Sequence, residues 1–383
     1  MEDSQPSPSR LDLDHTGNCT TTTTIPFDLI IEILSRLPAK SLLRFQSVSK
    51  LCLSTIRSKF FVDLFLTRSK TRPRLLFTFY LQNSWDKFLF SAPEYDNNED
   101  DKSSSVLARY DMMTISELDV ICGSVNGFIC CKSVVSSTKL NKITVYNPTT
   151  RQIIKLPDVT SDTGYVDALF GYDPVEDQYK VLCVNRKPQQ QEFLVCTLIS
   201  SQKQEWRKME NTIGDNSQCL YLGQVCIDGA VYYSVGESMI VRFDVRSEKI
   251  EFIKTPKKSA AFKTALVNYN GKFGRLECSH KKKMVTLWVL EDVEKQEWSS
   301  MTYAFPYQRW EISHGVSVVP QDGIRWAFTR KSRLPFRVCY YDFNKKNVRE
   351  VEIRGMEDGD LRPIDGFGVV DANAGHIENI RFL

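Results

Sequence analysis

The sequence has no apolar run near the ~18 residues that a membrane-crossing helix needs. Of its four histidines (His15, His280, His314 and His376), none stands at a metal-ligand spacing from another histidine. His280 follows Cys278 by two positions, with no second pair to complete a site. No C-x-x-C pair occurs among the eleven cysteines. There is no phosphate-binding loop and no G-x-S-x-G elbow, and "GFGVV" near the C-terminus lacks the third glycine of a dinucleotide site. These absences lead us to expect no catalytic residue, no metal and no cofactor. The net charge is only +3, which gives no reason to expect nucleic acid or an anionic membrane as partner. The first residues, "MEDSQPSPSR", carry early acidic groups and no apolar core, so they do not read as a secretory signal. The cysteines are odd in number and irregularly spaced, and most sit inside apolar runs such as "KVLCV". That pattern fits reduced thiols and a cytoplasmic or nuclear location.

What the chain does contain is a globular composition, 42% hydrophobic and 25% charged. Residues 1–24, rich in Ser, Thr and Pro, cannot bury enough surface to offset ordering and read as a disordered tail. A helical segment then stands in front of a β-rich body. After Pro26, apolar residues fall at Leu29, Ile30, Ile33, Leu34 and Leu37, one face of a helix of about three turns. Pro38 stops that helix. A second periodic run covers Leu42, Leu43, Phe45 and Val48, with Ser41 as its cap. A third runs through "LCLSTIRSKFFVDLFL". Three short helices make a poor independent unit, so much of their apolar surface should cover something else, either the rest of this chain or another protein.

The stretch 25–50 closely resembles the F-box, in particular the plant type that precedes an F-box-associated domain. The matching residues are Ile25-Pro26, Asp28-Leu29, Glu32-Ile33-Leu34-Ser35-Arg36-Leu37-Pro38, Lys40-Ser41-Leu42-Leu43-Arg44-Phe45 and Val48-Ser49-Lys50. One position departs: Cys52 stands where the family usually has Trp, which should loosen packing between the second and third helices.

The body repeats. The segments "ITVYNPTTRQIIKLP", "FLVCTLISSQKQEWRKM", "MIVRFDVRSEKIEFIKTP", "VTLWVLEDVEKQEWSSM" and "RVCYYDFNKKNVREVEI" each read as strand, polar turn, strand. They register at Val145, Val195, Val241, Leu287 and Val338, in steps of 50, 46, 46 and 51 residues. Between them lie hairpins with tight-turn signals at Asn126-Gly127, Asp228-Gly229, Asn270-Gly271 and Asp322-Gly323. Two hairpins per period give a four-stranded propeller blade, and the period is kelch-like. The fold class is therefore α plus all-β: a small three-helix unit followed by a kelch-like β-propeller. Six blades are expected, the last closed by a hairpin at 74–95 and another in "GFGVVDANAGHIENIRFL". The acidic stretch 96–105 reads as a solvated excursion.

This body resembles the F-box-associated interaction domain of plant F-box proteins. The resemblance rests on Gly123-Ser124-Val125-Asn126-Gly127-Phe128, Tyr146-Asn147-Pro148-Thr149-Thr150-Arg151, Leu156-Pro157, Phe170-Gly171-Tyr172-Asp173-Pro174 and Asp177-Gln178-Tyr179-Lys180-Val181. Those residues themselves read as scaffold, setting turns and filling space between blades. The two resemblances imply an F-box at 25–68, an associated propeller at 74–383, and a role as substrate receptor of a Skp–Cullin–F-box ubiquitin ligase. They imply that Pro26, Leu29, Ile30, Ile33, Leu37, Pro38, Leu42 and Val48 bind a Skp-type adaptor, and through it a cullin. The propeller would hold an unknown target protein at one rim. Two other readings stay open: an adaptor-bound scaffold outside a ligase, and a propeller enzyme or carbohydrate-binding propeller with an unrelated helical leader.

Overall fold

A computed structural model of the chain describes residues 25–81, 84–94, 105–107, 109–115, 119–135, 139–164, 166–186, 191–199, 203–210, 223–236, 238–256, 263–279, 283–304, 325–329, 337–343, 345–354 and 369–383. The tail expected at 1–24, nearly all of the acidic stretch and the turn at Asp322-Gly323 lie outside the described residues.

Four helices come first: α1 (Phe27–Arg36), α2 (Ala39–Phe45), α3 (Lys50–Arg57) and α4 (Lys59–Lys70). The periodicity leads to three, and the difference arises at Ser58. Its extended backbone (φ −64°, ψ 142°) interrupts the third run, and its hydroxyl accepts the Phe61 N–H to cap α4. Pro38, not Ser41, takes the cap position of α2. Ser49 caps α3, accepting the Cys52 N–H at 3.0 Å. The four helices enclose Leu34, Ala39, Leu42, Ile56, Phe61 and Phe65.

The strands form five four-stranded sheets and one five-stranded sheet, where the repeat leads one to expect six like blades. The sheets spanning 120–160, 166–208, 224–254 and 263–304 each run inner hairpin then outer hairpin, antiparallel throughout. The first of them carries Val159–Thr160 as an added strand against Leu140–Asn141. Asn126-Gly127, Asp228-Gly229 and Asn270-Gly271 all have positive φ at both residues, as two-residue hairpin turns require. Val145, Val195, Val241, Leu287 and Val338 are all buried, so the repeat read from sequence is the repeat of the core. Apolar clusters fill the spaces between neighbouring sheets. One joins Phe128 and Val145 to Phe170 and Val181, the next Leu182 and Val195 to Val231 and Val241, and another Tyr232 and Ile240 to Phe273 and Leu290.

The ring closes differently from the expected pair of hairpins. The C-terminus supplies one strand, Val369–His376, paired antiparallel along Arg74–Phe79. The N-terminal side supplies three: Arg74–Leu81, Ser84–Pro93 and Arg109–Ile115. Between the last two, Ser105–Leu107 crosses to the neighbouring sheet and pairs in parallel with Glu352–Arg354. That added strand covers an edge that would otherwise offer unpaired backbone groups.

Beyond His376 the chain forms no further strand and instead runs between the propeller and the helices. Ile380 is buried in the helical core with Leu34, Leu42 and Phe61. Asn379 donates to the Asn126 carbonyl at 2.6 Å. Asn147 donates to the carbonyls of Asn379 and Arg381 at 3.0 and 2.9 Å. A Cβ on Gly127 would lie 2.5 Å from the Ile377 carbonyl oxygen, and its φ is +84°, so only glycine lets this segment approach. Arg381 then forms a two-pronged pair with Asp177, at 2.5 and 3.0 Å. The same carboxylate accepts from Lys59 of α4 at 2.5 Å and from the Tyr172 hydroxyl at 2.8 Å. Helix, propeller turn and C-terminal segment thus meet at one side chain. Burial works against the Asp177 charge, but the hydrogen bonds from Arg381, Lys59 and Tyr172 outweigh it and hold its carboxyl well below the usual carboxylate range.

Two predictions follow from this closure. Deleting residues 369–383 removes both the closing strand and the buried bridge to the helices, so the cooperative melting transition followed by near-UV circular dichroism should be lost. A shortened chain that melts like the parent would show that the ring does not need that strand. The Asp177 pKa is depressed in the folded chain, so its contribution is present above about pH 4 and fades as pH falls through the folded value. Asp177→Asn should therefore lose ~1–3 kcal/mol of stability at pH 7. The difference in Tm from the parent should shrink in scans below about pH 4.

Candidate partner-docking face

Among the described residues, eight of the fifteen large hydrophobic side chains left exposed lie within residues 25–60. They are Ile25, Phe27, Leu29, Ile33, Phe45, Val48, Leu51 and Phe60. Such concentration in so short a segment differs from the scattered exposure normal for any protein and makes this face a candidate interaction surface. In α1 the apolar residues divide between two faces. Leu34 is buried, and Ile30, Ile31 and Leu37 pack partly against the helical core. Leu29 and Ile33, one turn apart, point away from it, each 53% exposed.

Of the residues expected to bind a partner, Pro26, Leu29, Ile33, Pro38 and Val48 are exposed. Ile30 and Leu37 are half-buried. Leu42 is corrected: at 0% exposure it belongs wholly to the helical core. It follows the Pro38 turn on the side of α2 that faces inward to Ile56, Phe61 and Ile380, so it supports the face without forming it. Ile25, Phe27, Phe45, Leu51 and Phe60 are also exposed but were not among the residues expected to bind a partner. They fall at helix starts, ends and connections, where a 3.6-residue period gives no direction. Cys52 is half-buried against the same core.

The face rests on a braced support. Glu32 of α1 accepts from Arg68 of α4 at 2.6 Å and from Arg36 at 2.8 Å. Those bonds, Arg68 first, lower its pKa. Arg68 also donates to the Ser35 hydroxyl, so α1 and α4 are tied on the side away from Leu29 and Ile33.

Among the described residues, no group of three His, Cys, Asp or Glu could hold a metal ion. The eight described cysteines are free, and burial pushes the Cys122 and Cys183 thiols up to about 12, which leaves them unreactive at neutral pH. No helix among the described residues is long and apolar enough to cross a membrane.

The family model for the F-box domain matches residues 23–63, and that for the F-box associated beta propeller domain matches 74–374. The chain belongs to the plant F-box proteins. The F-box protein At1g30790 of Arabidopsis thaliana is 37% identical over 94% of this chain and 98% of its own length. The putative F-box protein At1g46984 of the same plant is 37% identical over 88% and 87%, and the F-box protein DOR, also from Arabidopsis, 33% over 94% of each. The matching family is the F-box-associated propeller, so the kelch label rests on the repeat period alone.

With the F-box fixed, its core and its face separate by experiment. Leu42→Ala should destabilise the chain by ~2–5 kcal/mol, as for a fully buried leucine. Ile33→Ala should change stability by no more than ~0.5 kcal/mol, as at an exposed site. Urea melts of the two variants measure this, and equal losses would contradict the division of α1 and α2 into inner and outer faces.

Proposed function

We propose that this F-box protein is the substrate-recognition subunit of a Skp–Cullin–F-box ubiquitin ligase. In this reading residues 25–68 dock a Skp-type adaptor, which carries the cullin, and residues 74–383 hold the target. The observation that carries the proposal is the concentration of exposed apolar side chains on the F-box above an intact core. Pro26, Leu29, Ile33, Pro38 and Val48 form the docking set, with Ile25, Phe27 and Leu51 added from the structure. Ile30 and Leu37 contribute their exposed edges.

The target is assigned to the far rim. The turns near 126–127, 147–151 and 173–177 face the helices or the C-terminal segment. The ends at which the second and third strands connect, such as Val135 and Leu140 in the first sheet, are the ends opposite these turns, and loops at such ends carry recognition in rigid scaffolds. The receptor itself makes and breaks no bond. It raises the local concentration of target lysines beside a ubiquitin-loaded enzyme, and tethering alone achieves that.

Burying an aliphatic side chain at such a contact contributes ~1.5–3 kcal/mol, and a charge there would also be desolvated. Ile33→Asp should therefore weaken adaptor binding at least ~10-fold while the propeller keeps its melting transition. Co-purification with adaptor and cullin supports the ligase role. Adaptor without cullin would point to a scaffold outside a ligase, and unchanged binding by Ile33→Asp would remove the docking assignment.

A further inference from the structure

The outermost strand of a propeller sheet has a far edge that needs cover, and the cover can be followed here from sheet to sheet. In the sheet spanning 224–254 the outermost strand is Ile250–Lys254. Side chains of the next sheet close its edge. Gln296 donates to the Phe252 carbonyl at 3.2 Å and accepts the Lys254 N–H at 3.1 Å, and the Trp298 indole donates to the Lys254 carbonyl at 3.2 Å. The Trp206 indole likewise donates to the Pro157 carbonyl at 2.7 Å, just beyond the outer strand Gln152–Lys155. Asn347–Arg354 is covered by the added strand Ser105–Leu107. Arg207–Lys208 is only two residues long, and Arg109–Ile115 includes Arg109 and Asp111. Short or charged edges resist an added strand.

Among the described residues, Glu297–Ala304 has none of these covers. It is eight residues long and contains no Lys, Arg or Pro. The next sheet makes the same turn beside it. Asp292 and Asp342 each accept the N–H three residues on, and Gln296 and Lys346 share a left-handed φ of +54° and +52°. In that turn Lys346 and Val348 stand where the preceding sheet has Gln296 and Trp298, and valine carries no side-chain donor. The backbone groups this leaves can be named. The Ala304 carbonyl accepts from the Tyr341 hydroxyl of the next sheet at 2.9 Å, so it is turned to the outer edge, and the two-residue alternation turns Ser300 and Thr302 the same way. Counted from the equivalent turn at Glu248, they match Phe252 and Lys254, whose amide groups are the covered ones. Ser300 and Thr302 are exposed, and among the described residues nothing bonds their outward backbone groups.

We propose that Glu297–Ala304 is an acceptor edge for an extended segment of another protein, which adds to the sheet as a further strand. Donors and acceptors repeating every second residue along an edge match another peptide backbone. The molecule already uses this mode, since Ser105–Leu107 adds to the neighbouring sheet from a distant part of the chain. Beyond Glu297 the strand is uncharged, so the segment it suits is uncharged and rich in β-branched residues. The site is separate from the F-box face and does not depend on the ligase reading.

The probe is a short peptide alternating threonine and valine, titrated calorimetrically into the full-length protein while amide exchange over residues 297–304 is followed by mass spectrometry. In the free protein this strand should exchange faster than Met284–Asp292, and saturating peptide should slow it. The same peptide methylated on every backbone nitrogen cannot donate and should bind at least ~10-fold more weakly. Ser300→Pro removes an outward donor and spares the pairing with Met284–Asp292, so it should weaken binding by a similar factor. The double variant Lys346→Gln, Val348→Trp copies the cover seen over Ile250–Lys254. It should also weaken binding, with the peptide-free Tm no lower than the parent's, and it decides the matter if the proline variant fails to fold. The assignment is overturned if the peptide does not bind, if its methylated form binds as well, or if the double variant keeps full affinity. Slow exchange of 297–304 in the free protein at every concentration would show that the chain covers this edge itself, and protection that fades on dilution would make it an interface between two copies.

Discussion

Asp177 is the point on which the arrangement of this protein turns. A carboxylate in a propeller turn holds Arg381 from the C-terminal segment and Lys59 from the F-box at once. Water still reaches part of the group, so none of these bonds acts at full low-dielectric strength. Their value lies in geometry. They fix a segment whose next neighbour, Ile380, enters the F-box core, and whose Asn379 is gripped by two turns of the first sheet. The apolar anchor and the polar clasp each hold the other in register.

That clasp also explains the residues that carry the family resemblance. Asn126, Gly127, Asn147, Thr149 and Asp177 lie in two neighbouring sheets and read as turn formers one by one. Some are: the Asn147 side chain accepts from Thr149 and Thr150, and Asp173 accepts from Val175. Together they form the seat of residues 377–383. Phe128 and Tyr179 pack edge to face beneath it, 5.0 Å apart, and Arg381 lies over the Tyr179 ring. The motif is a docking site for the chain's own end, which no reading of a single hairpin could reveal.

What sequence could reach follows from this. The strand repeat was legible at Val145, Val195, Val241 and Leu287 because alternation and turn chemistry are local. The first helix was legible because Pro26 and Pro38 bound a clear period. Leu42 was misplaced because a helical period names a face without saying which partner covers it. Its cover includes Ile380, more than three hundred residues away. The break at Ser58 was hidden because Ser-Lys-Phe-Phe continues a tolerable helical pattern. The parallel pairing of Ser105–Leu107 with Glu352–Arg354 has no local signature, since parallel neighbours need not be close in sequence.

The first question the sequence poses, whether the helical unit covers its own chain or another protein, thus has a divided answer. Its inner side is completed by the chain itself, through Ile380, and by Arg57 over the Phe382 ring at 5.8 Å. Its outer side, with Leu29, Ile33 and Val48, is left exposed by the described residues. A unit too small to be stable alone borrows its missing core from the propeller's last residues and so can leave a second apolar face bare. That same borrowing removes the freedom of a linker. Residues 71–73, between α4 and the first strand, are too few to act as a tether, and the clasp at Asp177 fixes the remaining rotation. Under the proposed function, a partner on the bare face and a target on the far rim would be kept at a set span, on which effective concentration between two bound groups depends.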